Sequence, residues 1–177
     1  MARDKIEKIR SGIEKYQYLR CRMAQTDVST DREFQKAFNG FFRMGRRTEE
    51  YYQDYYSFLQ QHKETGIVFA EALTYLYEKH GRLEMSFVSK MVAMTDPSFP
   101  IWDSVVTKGH FGITAPYAGE KNRLQKGIDK YTQYCRSYNT YMQTDEAKAK
   151  ITEFEHLFPG VDITDVKKLD FMLWQDR

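Results

Sequence analysis

Apolar residues recur at helical spacing from the first residues onward. Ile6, Ile9, Ile13, Tyr16 and Met23 fall on one face, with Lys and Arg filling the gaps, and the spacing predicts a helix from Arg3 to Met23. Thr30 and Glu33 then stand at capping-box spacing, so Thr30 is the expected start of a second helix. Phe34, Phe38, Phe41 and Phe42 give that helix an aromatic stripe that reads as core, and Gly45 is its expected stop. Thr48 opens a third helix, with Glu49 and Glu50 in a first turn that suits the macrodipole, ending near His62. A fourth carries Val68, Phe69, Leu73, Leu76 and Tyr77 up to Gly81, and a fifth spans Ser86 to Met94.

The pattern then breaks. Asp96-Pro97-Ser98-Phe99-Pro100 cannot be helix interior, because proline lacks an amide donor and restricts the residue before it. A short helix is expected from Trp102 to Val106, followed by the irregular stretch from Gly109 to Gly119. A long helix resumes near Glu120 and runs to Met142, with Leu124, Ile128, Tyr131, Cys135 and Tyr138 on one face. Thr144 and Asp145 begin another, which ends at Phe158-Pro159-Gly160, and the last starts near Asp162 or Thr164. No strand, repeat or low-complexity tract is read. The expected fold is all-α: one domain over residues 1–177, an orthogonal bundle of about eight helices.

Composition narrows this picture only slightly. A chain of 177 residues fits one domain, and 41% hydrophobic with 15% aromatic content excludes a disordered chain. Cys21 and Cys135 are far apart and outside any Cys/His metal spacing, so reduced thiols and no zinc are expected. The first residues lack an apolar signal region, and no stretch approaches the ~18 apolar residues of a membrane span, which points to the cytoplasm. A net charge of +2 does not mark a nucleic-acid binder by itself. The basic residues are unevenly spread, however, which leaves room for one basic face.

Chemistry gathers in one segment. Residues 89–106 read as an apolar helix, a proline-bounded loop and an aspartate, Asp103, at a new helix start. The order helix, Pro100-Ile101-Trp102-Asp103, helix resembles the catalytic segment of the helix-hairpin-helix DNA glycosylase superfamily. The fourth helix, the Gly81 turn and the fifth helix stand where that family has its hairpin, and the likeness covers residues 81–106. The resemblance implies duplex DNA as partner, excision of a base in DNA repair, and Asp103 as the catalytic carboxylate. The family's lyase lysine falls near Glu84 here, so a monofunctional, Asp-only hydrolase without a cofactor, or a binder that has lost catalysis, is implied. The turn also carries one glycine where the family's hairpin is glycine-rich, and the iron–sulfur cysteines of some members are lacking.

On this reading a fixed carboxylate beside the anomeric carbon would stabilise the positive charge that builds on the sugar as the N-glycosidic bond breaks. Trp102, Phe111 and Tyr117 are the candidates to hold an extruded base. Arg82, Lys108, Lys121 and Arg123 are the candidates for phosphate. Plainer readings stand beside these: Asp103 as a helix cap, Trp102 as core, Lys90 on a solvated stripe, and His110 as a surface histidine. Glu153 and His156 have a Glu-x-x-His spacing that occurs once, too little for a di-iron site. Tyr51, Tyr52, Tyr55 and Tyr56 read as an amphipathic wall or partner-facing surface. They motivate the alternative function, a non-enzymatic interaction module or homodimer.

Overall fold

In the computed structural model, residues 1–174 are described, and among them the chain forms nine helices and no strand. They are α1 (Arg3–Gln25), α2 (Arg32–Phe41), α3 (Glu49–His62), α4 (Phe69–His80) and α5 (Met85–Thr95), then α6 (Ser104–Gly109), α7 (Arg123–Met142), α8 (Asp145–Leu157) and α9 (Asp165–Leu173). The all-α expectation holds. No helix among the described residues is long and apolar enough to cross a membrane.

Side chains set most helix starts where the spacing placed them. Thr48, Thr144 and Thr164 accept from the backbone amides of Tyr51, Ala147 and Lys167, which satisfies donors that the first turn leaves open. The start of α2 differs from the capping-box expectation. Asp31, not Thr30, is the cap, accepting from the amides of Glu33 and Phe34. Arg22 on α1 grips the same carboxylate at 2.6 and 2.9 Å. That contact ties α1 to α2 and holds Asp31 well below the ordinary carboxylate range. The far end of α2 also differs, stopping at Phe41 before Gly45 is reached. The turn that follows is made by Arg43 and Arg46 in left-handed backbone, at φ 53° and 62°. Gly81, at φ 64°, closes α4 as expected, since only glycine takes that conformation without strain.

One apolar cluster runs from Ile9 on α1 to Leu173 on α9. The tyrosines of α3 belong to it, which corrects their reading as a partner-facing surface. Tyr51, Tyr55 and Tyr56 are at most 1% exposed. Tyr55 donates to the Phe87 carbonyl and Tyr56 to Asn39, so two of these hydroxyls are bonded within the core. Only Tyr52 stays at the rim, donating to the Met44 carbonyl. The aromatic stripe of α2 packs into the same group, with Phe38 against Phe42 at 4.6 Å and against Tyr56 at 5.8 Å.

Candidate functional site

The segment from Pro97 to Trp102 has no helix of its own to satisfy its backbone. Side chains from α5, α7, α9 and the cap of α9 do so instead. Thr164, just before α9, donates to the Pro97 carbonyl at 2.8 Å. Lys167 on α9 donates to Phe99 at 3.1 Å. On α7, Tyr131 donates to the Pro100 carbonyl at 3.1 Å and Tyr134 to that of Ile101 at 3.2 Å. The Trp102 amide donates to Ser89 Oγ on α5 at 2.9 Å. Asp170 in turn receives Lys167 Nζ at 2.7 Å and Tyr138 Oη at 2.9 Å. A buried carbonyl or amide without a partner is costly, so each of these bonds helps to fix the path of the loop.

That path delivers Asp103. Its carboxylate accepts from the Val105 amide at 2.9 Å and caps α6, so the helix starts at Ser104 rather than at Trp102. The cap reading of Asp103 is therefore correct, and it coexists with a place in a cleft. Asp103 lines an open cleft of about 1340 Å³ together with Ile101, Ser86, Phe87 and Lys90, residues of α1 and α2, Phe171 and Trp174. Among the described residues six cations line it: Lys5, Lys8 and Lys15 from α1, Lys36 from α2, Arg43 from the following turn, and Lys90. Three carboxylates do so, on Glu7, Glu33 and Asp103, and Glu33 is already bound to Arg22 at 3.0 Å. Phe41, Phe42, Phe87, Phe171 and Trp174 supply apolar lining between the charges.

Lys90 departs most from its sequence reading. It is 9% exposed, not on a solvated stripe. All of α5 from Phe87 to Met94 is buried, so that helix has no solvent face to offer. Lys90 Nζ donates to Ser86 Oγ at 3.1 Å and lies 5.0 Å from the centre of the Phe87 ring. Burial pulls its pKa down to about 8, against smaller upward pulls from Asp103 and Glu84.

The other sequence candidates lie elsewhere. Trp102 is corrected from a base platform to a core residue. It is 3% exposed, and its ring meets Tyr134 edge-on at 5.6 Å, which leaves no face open. Phe111 is half-buried and taken up by Tyr134, Tyr138 and Tyr141, so it too is a packing residue. Tyr117 is 70% exposed on the loop before α7 and does not line the cleft. None of Arg82, Lys108, Lys121 and Arg123 lines it either. Arg82 is bound to Glu84 at 2.9 Å, and Arg123 donates to the Pro116 carbonyl at 3.5 Å. Glu84, at the family's lysine position, is nearly buried and held bidentately by Arg47 at 2.8 and 2.9 Å. Among the described residues no three His, Cys, Asp or Glu side chains gather as metal ligands.

The residues missed from sequence are the cations of α1, together with Lys36 and Arg43. Lys5, Lys8 and Lys15, with Gly12 between them, lie at three-, four- and three-residue steps along one side of the helix, and that spacing was the available signal. Gly12 has a packing reason as well: a Cβ there would lie 2.9 Å from the Phe171 ring. Comparison with protein-family models, curated proteins and solved structures finds no match.

Proposed function

We propose that this protein binds DNA through the basic cleft and hydrolyses the N-glycosidic bond of an extruded nucleotide, with Asp103 as the carboxylate beside the sugar. The observation that carries the reading is the position of Asp103 in a concave surface where, among the described residues, six cations face three carboxylates. Such a surface attracts a polyanion, and a carboxylate inside it would meet the backbone sugars rather than repel the strand. The glycosylase resemblance of residues 81–106 supports the same chemistry. So does the anchoring of the preceding loop, because a catalytic carboxylate must be held in place before the substrate arrives.

In this reaction positive charge develops on the sugar as the base departs. Asp103, held by the Val105 amide, stabilises that charge and orients the attacking water. The apolar lining of the cleft gives the base a surface to leave the stack for. The test has two arms. DNA affinity measured at two ionic strengths falls with salt if cleft cations neutralise phosphates. Base release from a panel of damaged duplexes falls by about a hundredfold or more in Asp103→Asn, which keeps the cap but removes the charge. A wild-type protein that binds DNA without salt dependence and releases no base from the panel sinks the proposal.

A further inference from the structure

Lys90 has no role in the reaction as written above, yet it lines the same cleft as Asp103. An amine in the interior is expensive to keep charged unless a carboxylate sits against it. Among the described residues no carboxylate lies within ion-pair distance of Lys90, and the hydroxyl of Ser86 is its hydrogen-bond partner. Its charged surroundings are Glu84 from the start of α5 and Asp103 from the start of α6. The cleft also brings Lys5, Glu7, Lys8 and Lys15 of α1, Glu33 and Lys36 of α2, and Arg43. With burial outweighing the upward pulls of Asp103 and Glu84, an ammonium placed here gives up its proton more readily than one on the surface.

The geometry points to Lys90 as the proton donor to the nitrogen of the departing base, an inference that rests on the glycosidic reading of the cleft. A neutral nucleobase leaves as an anion unless it is protonated, so an acid beside it lowers the barrier. The C–N bond breaks and its electron pair goes to the base nitrogen, which takes a proton from the Lys90 ammonium. The oxygen of water bonds to the anomeric carbon, and the proton that water loses passes to the Asp103 carboxylate. Return of that proton to the amine, directly or through solvent, restores both groups. A donor with its pKa near 8 is charged at neutral pH and still a stronger acid than an ordinary lysine. The site therefore fits an uncharged base joined to deoxyribose. A base already made cationic by alkylation leaves as a neutral molecule and needs no donor.

The test compares release of uracil, as a neutral base, with release of an N-alkylated purine, as a cationic one, from otherwise identical duplexes. In Lys90→Met, uracil release is expected to fall about a hundredfold further than alkylpurine release, which loses only what this cation contributes to binding. Lys90→Arg keeps the charge but cannot give up a proton, so it is not expected to restore uracil release. Wild-type uracil release should decline above pH 8, and the alkylpurine profile should lack that limb. Equal losses on both substrates, or rescue by arginine, would show a charge that binds rather than an acid. A borohydride-trapped adduct on Lys90 would overturn the donor role in favour of a nucleophilic amine. Release of both bases by Lys90→Met at wild-type rates removes the donor role alone. If the wild type releases neither base, the donor role and the glycosidic reading fall together.

Discussion

Two lysines lie in the interior of this protein, and they are accommodated in opposite ways. Lys167, on α9, is 2% exposed, with the Asp170 carboxylate at 2.7 Å and the Phe99 carbonyl at 3.1 Å. Its charge is neutralised one turn along its own helix, and its remaining bond fixes the loop that leads to Asp103. Lys90, on α5, is 9% exposed and has a hydroxyl where Lys167 has a carboxylate. Burial there is answered by a lowered pKa rather than by a counter-ion. The first arrangement organises structure. The second leaves a charge partly uncompensated beside a cleft, a condition that perturbed groups at functional sites often share.

Splitting the Lys167–Asp170 pair should have the largest effect on stability. Asp170→Leu strands a buried ammonium and leaves the Tyr138 hydroxyl with only its longer bond to the Val166 carbonyl, at 3.3 Å. A loss of about 3–5 kcal/mol is expected in denaturant unfolding at pH 7. Adding Lys167→Met should recover most of that loss, because a neutral pair removes the stranded charge. A single variant that unfolds like the wild type would show that the pair holds nothing in place.

Lys90 should behave in the opposite sense. Its folded pKa of about 8 lies below the ordinary 10.5, so between those values the unfolded chain holds more protons than the folded one. Wild-type stability therefore rises as the pH goes from 8 to 10.5, and the penalty of the buried charge is fully present below 8. Lys90→Met should stabilise the protein on the order of 2 kcal/mol at pH 7, with the gain shrinking toward pH 10.5. Unfolding curves at pH 7 and pH 10 check this, and a destabilised Met variant at pH 7 would mean that Lys90 has a true counter-ion. The smallest effect concerns the anchor nearest Asp103. Ser89→Ala leaves the buried Trp102 amide without its acceptor and should cost about 1 kcal/mol, measured by the same unfolding and followed by the near-ultraviolet signal of Trp102. No change in either would show that the loop keeps its path without this bond.

Helix order was readable because it rests on local signals. Thr48, Thr144 and Thr164 cap the helices they were expected to cap, since a hydroxyl meets an amide two or three residues on whatever the rest of the chain does. Where a distant residue intervened, the reading slipped. Arg22 binds the Asp31 carboxylate from another helix, and the start of α2 moves from Thr30 to Asp31. Asp103 was legible as a cap because its contact with the Val105 amide is local, whereas its place in the cleft depends on α1, α2 and α9. Trp102 was misjudged, because its burial is decided by Tyr134 on α7.

The sequence by itself determined an all-helical chain, most of its helix boundaries and the position of one carboxylate at a helix start. All of these depend on periodicity and on contacts within about four residues. Only the tertiary structure decided which polar groups share a space. It set Lys5, Lys8 and Lys15 of α1 in the same cleft as Asp103, left Arg82, Lys108, Lys121 and Arg123 outside it, and put Lys90 under cover. Burial and electric field at a side chain are sums over neighbours far away in the chain, and residue order alone does not carry that sum.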